Sequence, residues 1–341
     1  MKASDKAVWA QLTPTPGPAL VAAARRYESA RVEGVWSPQL FGAPFGTLSA
    51  IAAVTERLKL GTGIALAFVR SPLETACSAI DLDLLSGGRC VLGLGSSAES
   101  QIAGSFGSVY GKPLAHMREI VAMIREIVAR GHSGELGRLD GQYHHLDLAH
   151  FRLLGAPCRP VIPIYLPAVF EKACAQAGEI ADGLLGHPIW NDAWIHDQVI
   201  AHLRAGLDRG ARARSAVDLN LMVFTVITED RRAGIADARP TLAYYSQSPQ
   251  YLRYFEAIGF GREAAAIQAA FARQDYAAMF QACTDAMIDS IAIIGTADEV
   301  RRRMQERARD ADSITPVVPH YNLPEDKAAE YAGRIAALFY G

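Results

Sequence analysis

The sequence predicts an α/β fold, a (β/α)8 TIM barrel with insertions at its C-terminal face, and three observations carry that prediction. Strand-like apolar runs recur, each followed by a turn and a segment of helical period, as repeated βα units require. Eight such runs can be counted, the number that closes a parallel barrel. The 341 residues exceed the ~250 of a plain barrel, so the surplus belongs in long connections. One domain over residues 1–341 is expected, with insertions at 133–160 and 233–289.

The strands are expected at Ala7–Leu12, Gly34–Ser37, Leu58–Ile64, Cys90–Leu94, Ile162–Leu166, Gly183–Gly186, Leu219–Ile227 and Ile291–Ile294. The third and fourth are the most informative pair. Between them Ser71-Pro72-Leu73-Glu74 reads as a capping box: a hydroxyl for orphan amides, proline at the first helical position and a carboxylate three residues on. A helix there makes the pair a parallel βαβ unit, not a hairpin. The expected helices are Pro18–Ser29, Thr47–Glu56, Pro72–Leu85, Pro113–Arg130, Phe170–Ile180, Ala193–Arg209 and Ala297–Arg309, with Pro324–Phe339 closing the chain. Insertion 133–160 contains Gly141-Gln-Tyr-His-His-Leu-Asp-Leu and reads as a loop or short hairpin. Insertion 233–289, rich in helix formers and aromatics, reads as helical and is placed beside the barrel mouth.

Composition excludes several classes. The 34 basic and 36 acidic side chains leave a net charge of −2, and no basic block occurs, which argues against a nucleic-acid or anionic-membrane partner. The five cysteines, Cys77, Cys90, Cys158, Cys174 and Cys283, form no C-x-x-C pair and are odd in number, as expected of a reducing cytoplasm. No signal peptide or membrane-spanning run is read in the sequence. His144, His145 and His150 lack the spacing of a helical metal pair, and no metal is expected.

The order of segments resembles the bacterial-luciferase-like superfamily of flavin- and deazaflavin-dependent oxidoreductases, over roughly Ala7 to Val300. The resemblance rests on Gly34-Val-Trp-Ser-Pro-Gln-Leu-Phe41, Glu56-Arg-Leu-Lys-Leu-Gly-Thr-Gly-Ile64, Arg70-Ser-Pro72, Leu85-Ser-Gly-Gly-Arg89, Gly93-Leu-Gly95, Ile162-Pro-Ile-Tyr-Leu166, Ala177-Gly-Glu-Ile-Ala-Asp-Gly183 and Ile294-Gly-Thr-Ala-Asp-Glu-Val300. No one segment is diagnostic; their order is. It implies a homodimer and a cofactor, F-420 or FMN, lying over the strand ends. It also implies a non-proline cis peptide at Gly63-Ile64, where a backbone bulge presses the middle ring of the cofactor from behind. Gly63, Ile64, Ala65, Leu94, Gly95, Ser96 and Ser97 would then touch the ring and polyol, with Ser96 and Ser97 as hydrogen-bond donors or simply a polar loop. Ala168 and Val169 would offer backbone amides to the phosphate at a helix start. Phe170 stands where many relatives have glycine, which puts tight phosphate binding in doubt.

Two further departures bear on catalysis. Some deazaflavin-dependent relatives carry an Asp-His pair after the second strand and a glutamate after the fourth. Here the positions hold Pro38, Gln39 and Ser96, none of which titrates near neutral pH. Gln39 can donate to a substrate or cofactor carbonyl, or hold backbone at a strand end. His187, directly after the sixth strand, is the remaining proton-transfer candidate, with a structural hydrogen bond as its other reading. Phe41, Phe68, Arg70 and Trp190 are the substrate-facing candidates, and Arg70, Arg152 and Arg159 could meet a phosphate or acidic tail. Tyr244, Tyr245, Tyr251, Tyr254 and Phe255 could roof an apolar substrate, or pack as core.

These readings predict an oxidoreductase using F-420 or reduced FMN for hydride transfer or monooxygenation of a small organic substrate. The bulge signature and Ser37-Pro-Gln-Leu40 tilt the choice toward F-420. A non-catalytic flavin-binding protein on the same barrel is the alternative. A metal-dependent hydrolase would need several aligned His/Asp residues at strand ends, where only His187 stands.

Overall fold

Parallel pairing closes a ring in the computed structural model of this protein, which describes residues 6–13, 15–30, 32–40 and 42–340. The strands are β1 (Ala7–Gln11), β2 (Gly34–Ser37), β3 (Lys59–Thr62), β4 (Ala65–Leu66), β5 (Cys90–Gly95), β6 (Gly137–Asp140), β7 (His145–Leu148), β8 (Ile164–Pro167), β9 (Gly183–Leu185), β10 (Asp218–Ile227), β11 (Ile293–Gly295) and β12 (Ser313–Val317). The ring runs β1-β2-β3-β5-β8-β9-β10-β12 and returns to β1 through the parallel pairing of Ala7 with Ser313. It is the expected eight-stranded barrel.

One strand is not the expected one. The run at Ile291–Ile294 forms β11, which pairs only with Thr225–Ile227, the far end of β10 beyond the closed ring. The eighth barrel strand is β12, whose Ser313-Ile-Thr-Pro-Val lacks an apolar inner face and carries proline, a residue that argues against a central strand. Its polar residues face partners inside the barrel: Asn220 Nδ2 donates to Ser313 Oγ, and Thr315 Oγ1 donates to Asn220 Oδ1, both at 2.8 Å.

The helices are α1 (Gly17–Ser29), α2 (Phe45–Ala52), α3 (Pro72–Ser86), α4 (Pro113–Arg130), α5 (Glu171–Ile180), α6 (Asp192–Trp194), α7 (Ile200–Arg209), α8 (Arg231–Ser246), α9 (Leu252–Ala257), α10 (Gly261–Ala272), α11 (Tyr276–Ala282), α12 (Asp285–Ile291), α13 (Ala297–Arg307) and α14 (Glu325–Phe339). Insertion 133–160 holds the antiparallel hairpin β6–β7, and insertion 233–289 is helical, from α8 to α12. Ser71 does cap α3, accepting from Glu74 N–H at 3.0 Å. The reciprocal half of the box is missing, because the Glu74 carboxylate binds Ser78 and Arg70 instead.

Large rings against glycines fill the barrel interior. The indoles of Trp9 and Trp36 stack at 4.0 Å, and Tyr165 lies 5.6 Å from Trp36. These rings fit because a Cβ on Gly34 would stand 2.4 Å from Trp9, on Gly61 2.2 Å from Trp36 and on Gly183 2.3 Å from Tyr165. Interiors tolerate no such overlap, so the rings specify glycine at those places. The plug of rings makes the lower barrel solid and leaves room for a ligand only above it, at the strand ends.

Candidate active site at the barrel mouth

At the end of β3 the chain leaves the ladder and rejoins it. Leu60 and Gly61 pair with Cys90 and Val91, and pairing resumes as β4, where Ala65 and Leu66 oppose Leu94 and Gly95. Between them the Gly63–Ile64 peptide is cis, at the position the resemblance implied. The bulge is tied down on both sides: Gly63 N–H donates to Ser37 O at 2.9 Å, and Thr62 Oγ1 donates to Gly93 O at 2.7 Å. Ile64 lies over β5, since a Cβ on Gly95 would come within 1.9 Å of its Cδ1. The Ile64 side chain therefore covers the end of β5 at Gly95, and the bulge presents an apolar surface.

Gln39 braces this bulge. Its backbone N–H donates to Ile64 O at 3.1 Å, and its Oε1 accepts from Leu66 N–H at 2.9 Å and from the Arg70 guanidinium at 3.0 Å. The side chain is buried. Of the two sequence readings, its carbonyl follows the structural one. Arg70 is committed in the same way, to Gln39, to Glu74 at 3.4 Å and over the Phe45 ring, and burial pulls its pKa down. It is not free for a phosphate. Arg159 grips Asp83 and the Cys90 carbonyl where β5 begins, at the opposite end of the barrel, and Arg152 donates to His132 O.

The other wall follows β5. Ser96 and Ser97 are partly exposed, and Ser97 adopts a left-handed φ of 54°. That turn is fixed by Ser97 Oγ donating to Gln101 Oε1 and by Tyr110 O–H donating to Ser97 O at 3.0 Å. Ala65 and Leu94, expected to touch the cofactor, are fully buried and lie beneath this surface.

Two substrate-facing candidates are corrected. Phe68 is buried in a ring stack, 4.1 Å from His116 and 5.4 Å from Tyr110, because an apolar ring at that turn packs against α4 better than it faces water. Trp190 is also buried, and its indole N–H donates to Val169 O at 3.3 Å, joined there by Trp194 at 3.0 Å. Phe41 lies outside the described residues.

His187 stands at the same C-terminal end of the barrel, just after β9. It follows β9 on the inward register, after Gly183 under Tyr165 and Leu185 in the interior cluster. Ile189 N–H donates to its Nδ1 at 3.4 Å, and its Nε2 lies 3.2 Å from Tyr251 Oη. Tyr245 packs edge-on at 5.5 Å. Burial lowers the imidazole pKa to about 3, so the ring is neutral at ordinary pH and unsuited to donate a proton as imidazolium. At or near the C-terminal ends of the strands Gln11, Pro38, Ile64, Ser96, Pro167, Met222 and Val318 keep partial exposure, and none carries a charge.

The luciferase-like monooxygenase family model matches residues 5–312. The chain belongs to this family. Among its relatives, a Mycobacterium tuberculosis protein named as a coenzyme F420-dependent oxidoreductase is 31% identical over 316 residues, covering 87% of this chain and 88% of its own. A 5,10-methylenetetrahydromethanopterin reductase of Archaeoglobus fulgidus is 30% identical over 292 residues, covering 83% and 82%. In fold, the coenzyme F420-dependent tetrahydromethanopterin reductase of Methanopyrus kandleri superposes with a TM-score of 0.81 at 20% identity, covering 98% of this chain and 99% of that one.

Within this luciferase-like chain the expected phosphate place, Ala168 and Val169, has a neighbour of like charge to an anion, the Glu171 carboxylate. Ala168 N–H is spent on Leu185 O at 3.3 Å, so it is not the free donor expected of it. The N-terminus of α5 is occupied by the carboxylate of Glu171, which accepts from its own backbone N–H and pairs with Arg253. Burial raises the Glu171 pKa, but those two partners outweigh it and hold the carboxyl below its ordinary range. Arg253 in turn covers the Phe170 ring at 5.2 Å. The sequence flagged Phe170; the Glu171–Arg253 pair was missed, because its two members lie on segments that only the folded insertion brings together. Among the described residues no group of three or more His, Cys, Asp or Glu side chains is placed to hold a metal ion.

Proposed function

We propose that this protein is an oxidoreductase in which F-420 or FMN works on a small organic substrate at the barrel mouth, with F-420 the cofactor. The observation that carries the reading is the braced bulge of Gly63 and Ile64, with the Ile64 side chain laid over Gly95 at the end of β5. A flat apolar surface of that kind suits one face of a fused-ring heterocycle. The F420 in the printed name of the Mycobacterium tuberculosis relative supports the choice of cofactor.

When bound, the cofactor supplies the redox step, a hydride transfer or oxygen activation. The protein's residues hold and shield it. Gly63 and Ile64 would support the ring, the Ser96–Ser97 backbone its polyol, and Gln39 would keep the bulge in place from behind. Tyr245 and Tyr251 from the helical insertion would roof the mouth and exclude water. With Pro38, Gln39 and Ser96 in place of titrating groups, a reduction would draw its proton from a neutral donor or from solvent. The non-catalytic alternative gains nothing from relatives that are named as enzymes. The homodimer belongs to the same reading and is tested by light scattering of the purified protein.

Absorbance titration of the pure protein with oxidised and reduced F-420 and FMN tests the proposal. Saturable binding of F-420 with a perturbed ring spectrum is expected. Binding of neither cofactor would end the reading.

A further inference from the structure

The hydrogen bonds around His187 fix which way a proton points in the mouth. Because Nδ1 accepts from Ile189 N–H, it carries no proton in the neutral ring. The one ring proton then sits on Nε2 and is donated to the Tyr251 oxygen at 3.2 Å. With its oxygen accepting from Nε2, the Tyr251 hydroxyl keeps its own hydrogen to give. A hydrogen held out in this way seats an acceptor such as a carbonyl oxygen.

The surroundings narrow the class further. His187 meets Tyr245 edge-on, Phe224 meets Tyr245 at 5.5 Å, and Tyr244 stacks on Tyr321 at 4.4 Å. Arg70 is engaged by Gln39 and Glu74, and Arg253 by Glu171. An anionic substrate would lose its hydration here without gaining a counter-charge.

We infer that the Tyr251 hydroxyl, aimed by His187 as a positioning residue, is the hydrogen-bond donor that seats the carbonyl oxygen of a neutral, largely apolar aldehyde, ketone or enone. The inference rests on the proposed function for the place of the reaction, but its binding chemistry is this chain's own.

The probe is 4-dimethylaminocinnamaldehyde, whose absorption band moves to the red when its oxygen accepts a hydrogen bond, titrated with and without F-420. The wild-type protein should bind it and shift the band in both cases. Tyr251→Phe should bind it about tenfold more weakly and without the shift, the loss of one hydrogen bond. His187→Ala should reduce the shift, and His187→Gln, which keeps an N–H near the Nε2 position, should restore it. The matching carboxylate, 4-dimethylaminocinnamate, should bind at least about tenfold more weakly than the aldehyde. A full shift in Tyr251→Phe, no rescue by His187→Gln, or equal binding of the carboxylate would overturn the inference. Failure of F-420 to bind, with the aldehyde shift intact, would instead count against the proposed function alone.

Discussion

Gln39 Oε1 accepts the backbone N–H of Leu66 at 2.9 Å, so a side chain from the end of β2 fixes the point where the displaced third strand rejoins the sheet. Leu66 is buried, and its amide has no water to turn to if the glutamine is removed. Gln39→Ala should therefore cost about 1–3 kcal/mol, the penalty of a buried unsatisfied donor. Gln39→Glu should cost less, because a carboxylate oxygen still accepts from Leu66 and now faces the Arg70 guanidinium. Urea unfolding measures both. In the cofactor titration Gln39→Ala should also bind the ring more weakly; unchanged stability and unchanged affinity would remove Gln39 from the site.

At the start of α5 the Glu171 carboxylate holds the position an anion would take, with Arg253 as its partner. The protein should thus gain little from a cofactor phosphate, and riboflavin and FMN should bind with similar affinity if they bind at all. Glu171→Gln removes the competing charge and frees Arg253. It should tighten FMN relative to riboflavin by up to about thirtyfold, the upper range for an anion at a helix start. Fluorescence titration with both ligands reads the ratio. A strong FMN preference in the wild type that the substitution leaves unmoved would show the phosphate bound elsewhere.

How much of this was legible in the sequence depends on the range of the interactions. The βα alternation and the bulge after Thr62 are local patterns, and each is found where it was expected. The eighth strand was not legible, because Ser313 and Thr315 face polar partners on β10 inside the barrel and so erase the apolar signal of a strand. Trp190 was misread for a similar reason. Its place after β9 suggested the mouth, but its N–H finds the Val169 carbonyl, a partner from another loop. His187 faces inward as its register implied, whereas the Tyr251 that gives it a role lies in the insertion, at a separation no periodicity could bridge.

The ring plug beneath the site makes a sharper test of packing. Gly61 allows Trp36 to lie flat, and Trp36 cannot retreat because Trp9 stacks on its other face. Gly61→Ala should destabilise by about 1–3 kcal/mol or more, as overpacking of a filled interior does. Trp36→Leu, which opens a cavity, should itself cost about 3–5 kcal/mol. The two changes combined should cost less than the sum, since the smaller side chain makes room for the new methyl. A double-mutant cycle by urea unfolding measures the coupling, and strict additivity would mean that the two residues do not share this space.

His187 should leave its mark on the acid limb of stability. In the folded chain burial lowers its pKa to about 3, against about 6.5 in an unfolded chain. Between those values the unfolded state binds a proton that the native state does not, so stability falls as pH drops from about 6.5 toward 3. The slope from this one group approaches about 1.4 kcal/mol per pH unit. Its titratable neighbours, Tyr245 and Tyr251, have pKa values raised by burial and stay uncharged throughout this window. Carboxylates elsewhere also weaken the fold in acid, which makes the difference between two proteins the useful quantity. His187→Gln keeps an N–H for Tyr251 but cannot titrate, so its stability should fall less steeply. The two curves should differ by a constant above pH 7 and move apart in the variant's favour below pH 6. Urea unfolding at pH 4, 5, 6 and 7 gives both curves, and parallel lines over that range would mean that the imidazole is solvated enough to take up its proton in the native state.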